Sequence, residues 1–232
     1  MALLTTRLLE VLQIGETIAG VFDLAEKSLP TPGQYLPAQN LENQPEGFTH
    51  PLFTLISPAE RHPLGPIPSH WAPGDQIVCL PPHGKGFHLP SSARRVALLS
   101  FNGKPIRTLP LLPQALAQSA AVALFFQERP QPDLLDAVPA SVEISPLNDL
   151  KENLDWPDFL AAELTREELP VLWSFLGEAA QRFTGQVLVK TPMPCRGLGT
   201  CGVCAVKTRH GWRYACEDGP VFSLKELLHV AG

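Results

Sequence analysis

Four of the five cysteines in this 232-residue chain lie in one short, glycine-rich stretch near the C-terminus. They are Cys195, Cys201, Cys204 and Cys216, with the spacing C-x5-C-x2-C-x11-C. Thiolates bind soft metal centres, and four of them complete either a tetrahedral zinc site or a [2Fe–2S] cluster. Such clustering in a chain otherwise poor in cysteine favours a metal centre over structural disulfides.

The spacing favours an iron–sulfur centre over zinc. Plant-type [2Fe–2S] proteins use C-x4-C-x2-C followed by a distant cysteine, and this chain keeps that order with one extra residue in the first gap. A zinc ribbon usually has two close cysteine pairs, whereas only Cys201 and Cys204 form one here. Gly197, Gly199 and Gly202 could turn backbone N–H groups toward cluster sulfurs. We predict a [2Fe–2S] cluster; structural zinc, or four reduced thiols without metal, stay open as alternatives.

The composition is that of an ordinary soluble protein, with 44% hydrophobic and 18% charged residues. A net charge of -5 gives no electrostatic support for nucleic-acid binding. No apolar run approaches the roughly 20 residues that a membrane helix needs. The N-terminal apolar stretch is interrupted by Arg7, Glu10 and Glu16, unlike a signal peptide. We therefore predict a cytoplasmic protein that binds neither nucleic acid nor a membrane.

Residues 1–92 contain short apolar runs separated by turns rich in proline and glycine. The runs include TIAGVFDLA, PGQYLPAQ, HPLFTLISPA and the predicted strand Gln76–Leu80. Short strands at this spacing indicate a small barrel or sandwich. Cys79 lies within an apolar strand pattern and is predicted to be a buried core thiol.

The pattern changes near residue 93. Arg94–Phe101 is a continuous apolar run, typical of a strand buried on both faces of a parallel sheet. Helical and apolar stretches alternate after it, which predicts an α/β domain over 93–190. A helix is expected over 165–183, with Thr165 and Glu168 as its capping box. The cysteine segment then occupies 191–232, so the fold class is mixed β and α/β.

The stretch CRGLGTCGVCAV…ACEDGPVF resembles the ligand loop and closing motif of a known family. That family is the electron-transfer subunit of class 1B dihydroorotate dehydrogenase, among the ferredoxin-reductase-like flavoproteins. The closing motif here is Cys216, Gly219, Pro220, Val221 and Phe222. PGDQIVCLPPHGKGFHLP is similar to the family's Gly-Asp, strand and Pro-x-Gly-x-Gly-Phe, and TPGQYL resembles its Pro-Gly-Gln-Phe strand.

The resemblance implies FAD on a six-stranded barrel, NAD(H) on an α/β domain, and electron transfer through [2Fe–2S] to a separate FMN subunit. The family's flavin motif is Arg-x-Tyr/Phe-Ser. Phe53 and Thr54 can stand for its last two named positions, but Pro51 replaces the arginine and its forked, permanent charge. Gly84 and Gly86 belong to the glycine motif that follows. FAD is accordingly a possible cofactor, and the residues expected to bind it are Phe53, Thr54, Gly84 and Gly86.

The nicotinamide nucleotide motif has lost more of its pattern. The family has Gly-Gly-x-Gly-x-x-Pro after the first α/β strand, so that phosphates can approach backbone amides. LLSFNGKPIRTLPLL retains only Gly103 of those glycines, and Pro105 lacks a donor N–H. The flavin and nucleotide motifs are therefore degenerate, and use of NAD(P)H is doubtful.

These observations predict an iron–sulfur electron-transfer subunit that relays single electrons to or from a flavoprotein partner, an FMN-dehydrogenase-like catalytic subunit. No residue of this chain is assigned a catalytic role, so whether it counts as an enzyme stays open. The alternative is a non-catalytic interaction or assembly module with a structural four-cysteine zinc site. A stand-alone flavin reductase is a third reading, and the missing arginine and glycine loop argue against it.

Overall fold

The structure, a computed structural model, describes residues 3–42, 48–56, 62–101 and 106–227. Its N-terminal strands close into a barrel in the order β1-β2-β5-β4-β3-β6. The strands are β1 (Leu4–Ile14), β2 (Thr17–Phe22), β3 (Tyr35–Asn40), β4 (His50–Thr54), β5 (Leu64–Gly65) and β6 (Gln76–Cys79). Strand β1, which the sequence patterns did not single out, has a register shift between Leu8 and Glu10. Such a bulge bends a strand and helps a small sheet to close.

The barrel interior is apolar, and Cys79 lies in it without solvent exposure, which confirms the core thiol. Strand β6 carries this residue and pairs with β1 on one side and β3 on the other. Among the described residues, no helix is long and apolar enough to cross a membrane.

The second layer is a sheet in the order β14-β11-β10-β7-β8-β9. Its strands are β7 (Arg95–Ser100), β8 (Ala121–Phe126), β9 (Glu143–Pro146), β10 (Phe159–Thr165), β11 (Thr184–Lys190) and, after the hairpin of β12 (Ala205–Thr208) and β13 (Gly211–Tyr214), β14 (Val221–Ser223). The helices are α1 (Leu112–Ala117), α2 (Pro132–Asp136), α3 (Leu147–Glu152), α4 (Leu169–Leu176) and α5 (Leu224–Leu227). All pairings are parallel except that of β11 with β14. The predicted fold class is confirmed.

Strand β10 corrects the sequence-based assignment of this region. Its sequence, FLAAELT, is rich in strong helix formers, yet it lies between β7 and β11 with six of seven residues buried. Burial on both faces overrides the local preference. The helix expected over 165–183 therefore begins only at Leu169, and its α-helical part ends before Gly177, which has φ +53°. The Glu168 carboxylate accepts a hydrogen bond from the Thr165 N–H at 2.7 Å, which is one half of a capping box. The expected capping box is nevertheless wrong as a helix start, because Glu168 is the N-cap residue and has no side-chain cap.

The cysteine segment leaves the sheet at Lys190 and returns to it at Val221. Strand β14, which follows the closing motif, pairs antiparallel with β11 through the register Val187↔Phe222. Both ends of the segment are thereby fixed to one sheet edge. Strand β14, from the third predicted segment, lies in the sheet of the central layer. The division into 1–92, 93–190 and 191–232 stays a prediction.

Candidate metal centre

The structure brings the four predicted ligand thiols together. The Cys204 and Cys216 Sγ atoms lie 3.2 Å apart, and the Cys195 thiol has hydrogen-bond contacts with the thiols of Cys201 and Cys216. Cys195 and Cys201 lie in the loop after β11. Cys204 immediately precedes β12, and Cys216 follows β13. Among the described residues, no group of three or more His, Cys, Asp or Glu side chains is arranged to hold a single metal ion.

The four thiols differ in their exposure to solvent. Cys204 and Cys216 are fully buried, Cys195 is partly buried and Cys201 is exposed. The two buried thiols pack with the apolar core that fills the space between barrel and sheet. A group held by all four would have one protected side and one side at the surface.

The same contrast affects the acidity of the thiols. Burial raises the pKa of Cys216, and the neighbouring sulfur of Cys204 adds to the rise. Burial also acts to raise the pKa of Cys195, but hydrogen bonds from Cys201 and from backbone N–H groups outweigh it and lower the pKa. Thiolates are the metal-binding form. Cys195 is therefore the more readily deprotonated of these two, whereas Cys216 needs a metal to favour its thiolate.

The glycine loop supplies donors to these sulfurs. The Gly199 N–H hydrogen-bonds to the sulfurs of Cys195 and Cys216, and Gly199 has φ +65°. Gly197 has φ +80°, and a Cβ there would lie 2.7 Å from the His83 ring and 3.1 Å from the Tyr35 hydroxyl. An all-thiolate donor set with backbone N–H groups turned toward sulfur fits a [2Fe–2S] cluster.

Tyr35 connects the barrel to the cysteine segment. It is fully buried on β3, and its hydroxyl donates to the Cys216 carbonyl at 2.9 Å. Burial raises the pKa of this phenol, and the nearby thiols add to the rise. The hydroxyl therefore stays protonated and remains a donor.

Phe53 and Thr54 occupy the end of β4, but other groups of the chain already contact them. The Arg107 guanidinium lies 4.6 Å from the centre of the Phe53 ring. The Thr54 hydroxyl donates to the Pro30 carbonyl at 2.6 Å. A flavin ring could stack on Phe53 only after Arg107 had moved away from it.

Gly84 and Gly86 lie in the loop after β6, where they allow close packing. A Cβ on Gly84, which has φ +73°, would collide with the Gly219 carbonyl, and one on Gly86 would lie 2.8 Å from the Pro32 carbonyl. The intervening Lys85 N–H donates to the Gly219 carbonyl. The loop thereby touches the closing motif of the cysteine segment. The assignment of both glycines to a flavin stays a prediction.

A buried carboxylate lies near the predicted nucleotide loop, and the sequence patterns did not single it out. Glu163 on β10 accepts hydrogen bonds from the backbone N–H groups of Arg107 and Thr108 at 2.5 and 3.1 Å. Burial raises its pKa, although the charge of Arg107 opposes that rise. The one sequence feature that could have indicated this buried carboxylate is the single glutamate within the apolar run FLAAELT. Residues 102–105, which carry the degenerate nucleotide motif, lie outside the described residues.

Comparison with known proteins agrees with this geometry. Residues 191–228 match the iron–sulfur cluster binding domain of dihydroorotate dehydrogenase B. The chain is 25% identical over 214 residues to a dihydroorotate dehydrogenase B (NAD(+)) electron transfer subunit from Desulforamulus reducens, covering 79% of this chain and 75% of that protein. It is 41% identical over 46 residues to the sulfhydrogenase 1 subunit gamma of Pyrococcus furiosus, but this covers only 20% of this chain and 15% of that protein.

A solved structure supports the fold over almost the whole chain. The NADH-dependent reduced ferredoxin-NADP oxidoreductase aligns with a TM-score of 0.69 at 16% identity, covering 96% of this chain and 89% of that one. The chain thus has a ferredoxin-reductase-like fold, and its cysteine segment matches an iron–sulfur cluster binding domain. The resemblance to the electron-transfer subunits of dihydroorotate dehydrogenase B is thereby confirmed.

Proposed function

We propose that this chain is an electron-transfer subunit that holds a [2Fe–2S] cluster on Cys195, Cys201, Cys204 and Cys216. The observation that carries the proposal is the set of four converging thiols within a segment matching an iron–sulfur cluster binding domain. When bound, such a cluster accepts and releases one electron at a time. The chain itself binds the iron, excludes water from one side and directs N–H donors to the sulfurs.

The exposed side of the centre is the place where a partner would approach. Cys201 is exposed, and Leu198, in the same loop, is 65% exposed. Val203, between two of the ligands, is also exposed. Exposed apolar side chains grouped around a functional centre are typical of protein contact surfaces. We propose that a flavoprotein catalytic subunit, FMN-dehydrogenase-like, contacts this surface in the cytoplasm.

The two nucleotide cofactors take different places in this proposal. The ferredoxin-reductase-like fold keeps FAD a possible cofactor, but the Arg107 guanidinium covers Phe53 and Pro51 replaces the motif's arginine. No step of the relay is therefore assigned to FAD. Use of NAD(P)H stays doubtful because its motif retains only Gly103 of the family's glycines.

The first experiment is an absorption spectrum of the anaerobically purified protein, with iron, sulfide, zinc and flavin measured on the same sample. We expect visible bands with about two irons and two sulfides per chain, as a [2Fe–2S] centre requires. If FAD is released from the sample, the chain carries a flavin that could serve a reductase step. If no FAD is released, the chain is an electron relay through the cluster alone. A colourless protein with about one zinc per chain would contradict the proposal and favour an assembly module.

A further inference from the structure

Arg166 contacts the cysteine segment from outside it. It is the first residue after the central strand β10. Its Nη1 atom donates to the carbonyl oxygens of Val203 at 3.1 Å and Ala205 at 3.0 Å. These two residues flank Cys204, a fully buried ligand thiol. A permanent cation from the middle of the sheet therefore holds the peptide on both sides of one ligand.

The peptide around Cys204 is fixed by further hydrogen bonds. The Ala205 N–H donates to the Gly202 carbonyl at 3.1 Å, and the Cys204 carbonyl accepts from the Ala215 N–H at 3.0 Å. With Arg166 in place, three consecutive carbonyls from 203 to 205 all have donors. Arg166 itself starts from a fixed position, because the preceding Thr165 is the last residue of β10 and pairs with Lys190 of β11.

We propose that Arg166 positions Cys204 and raises the reduction potential of a [2Fe–2S] cluster bound to it, an inference that rests on the proposed function. Reduction adds one electron to the cluster and hence one negative charge. A nearby cation lowers the energy of that reduced form more than that of the oxidised form. The Arg166 side chain is 37% exposed, so solvent and salt screen part of this effect.

The test compares midpoint potentials in anaerobic dithionite titrations followed by absorption and electron paramagnetic resonance. In Arg166→Gln we expect the one-electron reduction equilibrium to fall about three- to tenfold, which is about 30 to 60 mV at roughly 59 mV per tenfold. Arg166→Lys keeps the charge and should recover more than half of that shift. The matched control is Arg182→Gln, whose arginine forms an exposed surface pair with Asp155, and its potential should not change.

Two outcomes would overturn the inference, and they differ from failure of the proposed function. An Arg166→Gln protein with full iron and the wild-type potential would remove the proposed role while leaving the electron carrier intact. If Arg166→Gln instead loses its iron, the Arg166→Lys variant decides. Recovery of iron and of the wild-type potential in Arg166→Lys supports the proposed role of the positive charge. An Arg166→Lys protein that is equally empty of iron overturns that role. Wild-type protein without iron would defeat the proposed function and this inference together.

Discussion

At the scale of single residues, the four cysteines share one side-chain chemistry but have different surroundings. Burial raises the pKa of Cys216, whereas hydrogen bonds lower that of Cys195. A metal must displace the proton from each thiol that it binds. We infer that loading of the site releases protons, and that Cys195 gives up its proton more readily than Cys216.

Cys204→Ser should abolish cluster binding while most of the fold remains. Serine offers a hard oxygen in place of the soft thiolate that iron–sulfur centres require, and the change is small enough for the surrounding core to accommodate. We expect iron per chain to fall by at least about tenfold with a nearly unchanged far-ultraviolet circular dichroism spectrum. Cys79→Ala is the matched control and should keep its iron. Equal iron in wild type and Cys204→Ser would refute the ligand assignment.

At the scale of secondary-structure elements, strand β6 shows how the barrel treats the fifth cysteine. Cys79 pairs with Leu4 of β1 and Ala38 of β3, so apolar residues surround it. Burial raises the pKa of its thiol from 9.0 to about 12. The folded chain thus keeps a proton that the unfolded chain releases in alkaline solution.

This shift predicts a pH-dependent contribution to stability. Because the folded pKa is raised, the contribution is complete below about pH 9 and is lost as the pH rises toward about 12. There the free energy of unfolding should fall by up to about 1.4 kcal/mol per pH unit through this group. Urea unfolding of the wild type and of Cys79→Ala at each pH gives the difference between their free energies of unfolding. That difference should be constant from pH 6 to 8 and shrink above pH 9; a constant difference up to pH 10.5 would contradict the prediction.

At the scale of the whole molecule, the cysteine segment is held from two sides. The barrel contacts it through the Tyr35 hydroxyl and through the Thr49 N–H, which donates to the Pro194 carbonyl at 3.1 Å. The sheet holds it through Arg166 and through β14. One continuous apolar core includes Phe53 of the barrel, the sheet strands and the two buried thiols. Barrel and sheet thus form a common scaffold for the centre.

Removal of iron should loosen the segment without unfolding that scaffold. A ligand that binds only the folded segment stabilises it by mass action, so its loss promotes local opening. We expect amide hydrogen exchange in residues 195–204 to increase by about tenfold or more after chelation. Strands β7 and β10 serve as the internal control and should change by less than about twofold. Two results would contradict the prediction that only the segment loosens: unchanged exchange in residues 195–204, or an equal loss of protection in β7 and β10.

Much of the fold could be read from the sequence, but one central element could not. The turn-rich first part predicted short strands, and the apolar run Arg94–Phe101 predicted a buried parallel strand, which the structure has as β7. Strand β10 was missed because alanine, leucine and glutamate favour a helix locally. Only its place between two neighbouring strands shows why FLAAELT is extended. The helix after it was consequently placed four residues too early.

The sequence by itself determined the kind of chemistry, because thiol type, spacing and glycine content are local properties of one stretch. It also determined the two-layer fold class through the change from short, turn-bounded strands to long apolar runs. The tertiary structure decided which thiols are buried, that the Tyr35 hydroxyl donates to the Cys216 carbonyl, and that Arg107 covers Phe53. The residues in these contacts lie tens of positions apart or more, and only the packing of barrel against sheet brings them together.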